Sequence, residues 1–241
     1  VISGLPHVRK SDGSNDKNIQ DIVLLCSSKL REFVSEQDQN LKYLGLVGFS
    51  HLMSFSKAAV TEERGLVLQC LSDEDTTIRI RALDLLAGMV TKRNLIPIVQ
   101  RLMEHIEDSE GIYRNELISK ILYICSNDKY AYISNFAWYI NILVNLARTT
   151  NHNYGSIIST SLIDVVTRVD GVRAYAIQLM IPLLMDGKLM NEDRFSSSGG
   201  GGSGSGGSTN GDGDGSGSNV DVLFATSWII GEYSSLLMRT T

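Results

Sequence analysis

Apolar residues recur at intervals of three and four along almost the whole chain, as in Ile19, Ile22, Val23, Cys26, Leu30, Phe33 and Val34 and again in Ile78, Leu83, Leu85, Leu86, Met89 and Val90. That period places them on one face of an α-helix, and no stretch shows the strict alternation of a half-buried strand. The pattern predicts helices near residues 17–36, 39–55, 57–71, 75–92, 94–107, 111–126, 130–148, 154–168, 171–186 and 220–238. Pro97 fits the first turn of a helix that Asn94 would cap, whereas Pro182 falls late in a helical pattern and should kink or end it.

The helices repeat. Asp38-x-x-Leu41-Lys42-x-x-Gly45-x-x-x-Phe49 aligns with Asp75-x-x-Ile78-Arg79-x-x-Ala82-x-x-x-Leu86 and with Glu110-x-x-Tyr113-Arg114-x-x-Leu117-x-x-x-Ile121, at offsets of 37 and 35 residues. A degraded fourth copy is Val172-Arg173-x-x-Ala176-x-x-x-Met180, with Asp170 one residue closer. An acid before the helix satisfies the first-turn amides, the apolar stripe packs on a partner helix, and the base is placed to meet an acid of the adjacent repeat. This is the pattern of the second helix of a HEAT repeat, and the period is that of a helical hairpin. The expected fold is all-α, an α-solenoid of HEAT-like helical hairpins carrying one disordered Gly/Ser-rich loop.

Composition adds that loop. Half of the 22 glycines lie between Gly199 and Gly217, inside the tract Ser196–Asn219, where no side chain can bury anything and ordering glycine costs the most backbone entropy. Its reach as a random coil is only about 27 Å, which suits reconnecting neighbouring helices. Both an engineered loop replacement and natural low-complexity sequence have this composition. The resulting organisation is a leading irregular segment at 1–16, the solenoid at 17–186, a flexible Gly/Ser-rich linker at 187–219, and a further solenoid helix at 220–241 packing on the preceding repeats. The chain opens on Val1 without a signal-like run and reads as a piece of a longer protein.

Charge and cysteines narrow the classes. With 43% hydrophobic and 20% charged residues and a net charge of −5, the chain has a core-forming composition and lacks the basic excess of a general nucleic-acid binder. The most apolar stretch, Ala174–Met185 with Gln178 inside it, is too short to span a bilayer. Cys26, Cys70 and Cys125 form no CxxC pair; their odd number and wide spacing suit a reducing compartment and core packing on helix stripes rather than disulfides, zinc or nucleophilic catalysis.

The stretches NLKYLGLVGFSHL at 40–52, LVLQCLSDEDTTIRIRALDLLAGMVTKRNLIPIVQRLM at 66–103, YRNELISKILYICS at 113–126, YISNFAWYINILVNLAR at 132–148 and VLFATSWIIGEYSSLL at 222–237 resemble, in the same order, the trunk of the adaptin large subunits. The resemblance runs from Ile19 to Leu237 apart from the Gly/Ser tract, where the family has a shorter connection. It implies a non-enzymatic scaffold within a heterotetrameric vesicle-coat adaptor. The implied partners are a beta-type large chain, a medium mu-type chain and a small sigma-type chain, with an Arf-type GTPase and cargo tails engaged through the whole complex. It also implies peripheral association with Golgi and endosomal membranes from the cytoplasm, sorting of transmembrane cargo towards lysosomes or vacuoles, no nucleic acid and no cofactor. The chain would be the middle of the trunk, without the N-terminal helices, hinge and appendage. The alternatives are another HEAT scaffold, such as a transport receptor or a subunit of a different coat, and a helical enzyme.

No catalytic, cofactor-binding or metal residue is assigned. His7, His51, His105 and His152 are dispersed, none with a carboxylate or second His at i+3 or i+4 in a metal-binding arrangement. Ser72–Thr77 (SDEDTT) lacks the glycine and distal glutamate of an EF-hand and reads as a helix cap; Asp212 and Asp214 sit in the glycine tract and would hold calcium feebly; Gly199–Gly202 have no GK[ST] and no preceding strand. The basic residues Arg79, Arg81, Lys92, Arg93 and Arg101 suit either an inter-repeat ladder on a solvated face or an acidic lipid or protein partner. Trp138 and Trp228 are expected in the core.

Overall fold

A computed structural model describes residues 13–149, 154–186 and 219–239. Eleven α-helices joined by short 3-10 turns, and no strand, occur among the described residues. They are α1 (Gly13–Ser35), α2 (Gln39–Met53), α3 (Lys57–Glu62), α4 (Arg64–Gln69), α5 (Thr76–Met89), α6 (Leu95–Glu107), α7 (Gly111–Tyr130), α8 (Phe136–Thr149), α9 (Gly155–Arg168), α10 (Arg173–Leu184) and α11 (Asn219–Glu232). The all-α hairpin fold expected from the periodicity is the fold observed. The Gly/Ser tract, at residues 196–218, lies outside the described residues, as do His7 and His152. The helices divide into two compact units, residues 1–127 and 128–241.

In the first unit, α1 packs on α2 and α2 on α5. Gly45 sets how close α1 and α2 come: a Cβ there would lie 2.6 Å from Val34 Cγ2 and 3.1 Å from the Leu30 carbonyl oxygen. Phe49 and Leu46 beside it are fully buried, with Ile78, Leu86 and Met89 of α5 and Leu95 and Ile106 of α6. Each such side chain contributes about 1.5–3 kcal/mol of burial, and none finds that burial within its own helix.

The repeat reading holds in its geometry. Asp38 accepts a hydrogen bond from Asn40 N at 2.8 Å and caps α2. Asp75 accepts from Thr77 N at 2.7 Å and from Thr77 Oγ1 at 2.8 Å and caps α5. These bonds, the hydroxyl's first, hold the Asp75 carboxyl below its ordinary range. Asp73 of the same acidic run binds Lys42 Nζ at 2.8 Å, tying the first repeat to the second. Arg79 reaches the third repeat by stacking over the Tyr113 ring, 4.5 Å from its centroid, where an acid was expected. Glu110 is exposed, and α7 begins on Gly111 with φ +61, a left-handed position that glycine adopts without strain.

Two helices depart from expectation here, and a third, at Pro182, ends as expected. The helix expected at 57–71 breaks at Glu63, whose carboxylate is 7% exposed; it accepts from Arg31 Nε at 2.9 Å and from Ser27 Oγ at 3.3 Å, and its second oxygen also binds the Arg31 guanidinium. Turning that carboxylate inward to α1 interrupts the helix between α3 and α4. Asn94 does not cap α6. The third helical residue is Pro97, which has no amide to donate, and the Asn94 side chain instead turns back, accepting from Thr91 N at 2.6 Å and donating to the Met89 carbonyl at 3.1 Å. Pro182 lies inside α10, which ends two residues later.

In the second unit, the helix expected from 130 begins only at Phe136. Asp128, Lys129 and Tyr130 have φ of 48, 54 and 66, and Asn135 caps α8 by accepting from Trp138 N at 3.1 Å. α9 packs on α8, and α11 packs on both α9 and α10. α10 and α11 run antiparallel, with Arg173 over the Tyr233 ring (4.7 Å) at one end and Thr226 Oγ1 against Met180 Sδ (3.7 Å) in the middle. Trp138 is half-buried and Trp228 is 37% exposed, so neither is the core residue expected. The fully buried aromatic side chain here is Tyr139, against which the Tyr130 ring lies at 5.8 Å.

Burial separates the cysteines. Cys125 is fully buried and its thiol is pushed up to about 12; desolvation pushes Cys70 up to about 11, with Asp73 adding to it; Cys26 is half-buried on α1. In the native state one thiol, Cys26, is therefore expected to react promptly with an aromatic disulfide reagent, and the other two only on unfolding; three equal rates would contradict the packing. Replacing Asp75 with Ala is expected to lower the melting midpoint by roughly 2–4 °C through loss of the cap, and an unchanged curve would remove the capping argument. Glu63→Ala should cost more, roughly 2–8 °C, than Glu32→Ala, whose exposed i,i+3 pair with Lys29 should shift the curve by less than about 2 °C.

Candidate partner-binding surfaces

Helices α2, α5 and α7 lie parallel, side by side, and their contacts fix the register. At the N-terminal ends Lys42 meets Asp73 and Arg79 meets Tyr113. Further along, the Tyr43 hydroxyl accepts from the Arg81 guanidinium at 2.9 Å and Lys120 binds Asp84 at 2.6 Å. At the C-terminal end of α2, the Met53 methyl occupies the space a Cβ on Gly88 would need, 2.5 Å away, and Lys57 Nζ donates to the Val90 carbonyl at 3.4 Å. Equivalent ends of successive second helices therefore share an edge.

This register divides the basic residues singled out in the sequence. Arg79 and Arg81 are spent on Tyr113, Thr76 and Tyr43, and Arg101 pairs with Glu104 at 2.7 Å. Lys92 and Arg93 sit at the opposite end of α5, in the exposed turn before α6, and make no ion pair among the described residues. The inter-repeat ladder accounts for Arg79 and Arg81, a pair within α6 accounts for Arg101, and Lys92 and Arg93 belong to neither. Burial, and then the Arg101 charge, hold the half-buried His105 imidazole below its usual range, which keeps it neutral beside Arg79.

A cleft of about 280 Å³ opens between the end of α1, α2 and α4, lined by Val34, Lys42, Leu66, Gln69, Cys70 and Asp73. Its charged groups already satisfy each other and its thiol is protonated, so it offers neither a nucleophile nor a free base. Among the described residues no three His, Cys, Asp or Glu side chains converge as a metal would require, and no helix is long and apolar enough to cross a membrane.

Exposed apolar side chains supply the other surface. On α11, Val220 (51% exposed), Phe224 (67%) and Trp228 (37%) follow one another at i, i+4 and i+8, and Ile181 on α10 and Met185 just past its end are likewise exposed. Sequence periodicity predicted these helices but could not show that their apolar residues exceed what α9 and α10 cover. The signal was present in α11 as apolar residues on every side: Val222, Ala225 and Ile229 face inward while Val220 and Phe224 face out.

Comparison with known proteins converges on the same reading. Residues 12–240 match the family described as the Adaptin N terminal region. The chain is 42% identical over 218 residues, 90% of its length, to AP-3 complex subunit delta of Dictyostelium discoideum, and equally so to AP-3 complex subunit delta-1 of Bos taurus. It is 36% identical over 168 residues to the AP-3 complex subunit delta of Arabidopsis thaliana. It spans 17%, 16% and 19% of the lengths of these three relatives. Its fold superposes, with a TM-score of 0.62 at 24% identity, on a homology model of the full-length AP-3 complex in an intermediate open conformation, covering 88% of this chain and 37% of that one. The wording NLKYLGL at 40–46, QCL at 69–71, IRIRALDLL at 78–86 and WIIGE at 228–232 points to the delta-type large chains within the family. The repeated helical hairpins, the cap-and-base ladder between them and the match over almost the whole length establish that this chain belongs to the adaptin N-terminal family.

Proposed function

We propose that the chain is a non-enzymatic scaffold segment of a vesicle-coat adaptor of the AP-3 type. In this reading it holds a beta-type large chain, a mu-type medium chain and a sigma-type small chain in fixed geometry. The assembled complex then works from the cytoplasm on Golgi and endosomal membranes, recruited by an Arf-type GTPase, and sorts transmembrane cargo towards lysosomes or vacuoles. The observation that carries the proposal is the 42% identity over 218 residues to delta-type large chains. The physical picture supports it: a solenoid exposes a long curved surface, and its association energy comes from extended contact rather than from one pocket.

The test is assembly. Co-expressed with the three other adaptin chains, the full-length protein carrying this sequence is expected to copurify with them in equal proportion. The complex should gain thermal stability, because partners that bind only the folded form raise its apparent stability by mass action. On neutral phosphatidylcholine liposomes at physiological ionic strength, recruitment should require the GTP-loaded Arf-type protein. A protein that purifies as a stable monomer and ignores all three chains would instead be a HEAT scaffold of another system.

A further inference from the structure

The parallel register of α2 and α5 sorts the charges of the first unit onto two opposite edges. On the edge formed by the helix N-termini lie Glu36, Asp38, Asp73, Glu74 and Asp75. The other edge is formed by the turn after α2 and the turn after α5, which Lys57 joins by donating to Val90. It carries Lys57, Lys92 and Arg93, all exposed, with His51 at the end of α2. No Asp or Glu occurs from residue 40 to 61 or from 85 to 103, the two segments that build this edge. In the turn after α2, two residues before Lys57, Phe55 stands 40% exposed. The nearest acids in sequence are Glu62, at the far end of α3, and Asp84, which Lys120 neutralises.

We propose that this basic edge, with Phe55 as its apolar wedge, docks the first unit onto an anionic phospholipid bilayer. An acid-free cationic rim attracts acidic headgroups, and an aromatic ring on that rim gains further by entering the interface. A chain of net charge −5 has no general attraction to such a surface, so binding depends on orientation: the basic edge turns inward and the acidic edge faces water. Three cations give a contact that holds the chain alone at low ionic strength and becomes too weak for that at physiological salt, as suits one of several contacts made by a coat. The inference rests on the coat reading only for its cellular setting. It concerns the isolated chain and lipid, with no partner subunit.

The experiment is flotation of the 241-residue chain with vesicles of phosphatidylcholine, alone or with about one-third phosphatidylserine, at low ionic strength. The chain should float with the anionic vesicles only, and added salt should release it. The double variant Lys92→Ala/Arg93→Ala should partition roughly 25-fold less, at about fivefold per cation removed. Phe55→Ser should also weaken binding, whereas Glu74→Ala on the opposite edge should leave it within about twofold. Circular dichroism and melting should be unchanged for the double variant, because both side chains are exposed and unpaired. Equal partition into the two vesicle types, or retention by polyglutamate with no retention by vesicles, would overturn the proposal, the second outcome pointing to an acidic protein partner. So would a Glu74→Ala variant that gains as much as the double variant loses, since binding would then follow net charge and not the edge.

Discussion

The structure depends on a constraint that no helix meets alone: each presents more apolar surface than it can cover, and the cover comes from the next hairpin. In the first unit Gly45 lets α1 and α2 approach until Val34 would touch a Cβ, and the layer thus formed is the platform for α5. In the second unit α11 closes over α9 and α10 while leaving Phe224 and Trp228 outside. Stability of this kind is a chain of nearest-neighbour terms. The polar groups between repeats fix the stagger at which those terms are collected: the Lys42–Asp73 pair and the Arg79–Tyr113 stack hold successive helices in register where apolar packing alone would tolerate sliding.

Most of this was legible in the sequence because the period of the apolar residues and the period of the repeat are both backbone-scale signals. Asp38 and Asp75 are one residue type at one spacing, and both caps formed. What the sequence hid were choices made by single side chains between local and distant partners. Glu63 is a good helix former locally, yet Arg31 and Ser27 of α1 draw it inward and the helix breaks there. Asn94 is a good cap locally, but with Pro97 at the third position its side chain closes the preceding turn. Trp138 and Trp228 lie in helices rich in Tyr and Phe, where buried seams are the common use of such rings, yet the fully buried aromatic side chain of the second unit is Tyr139.

The candidate surface was legible only in part for the same reason. Five basic residues stood out between positions 79 and 101, and one-dimensional order groups them. The α5–α6 hairpin folds that segment back, placing Arg79 and Arg81 among the partners of the ladder, Arg101 in a pair within α6, and Lys92 and Arg93 in the turn between the helices. Exposed apolar positions such as Phe224 were invisible to periodicity because a helix apolar on all sides gives no preferred face.

The acidic edge follows from helix formation itself. Asp38 and Asp75 each answer the partial positive charge of the helix N-terminus they cap, so the parallel helices α2 and α5 each add an acid to the same edge. In a bundle of antiparallel helices those contributions would alternate and cancel at any distance beyond a Debye length. In a solenoid the second helices are parallel by construction, here shown by Tyr43 against Arg81 and Met53 against Gly88, and the contributions accumulate. Residues that cap α2 and α5 thereby supply one side of an electrical orientation, and the cations of the turns after these two helices supply the other. The repeat architecture turns a local rule of helix stability into a surface that can tell one side of its surroundings from the other.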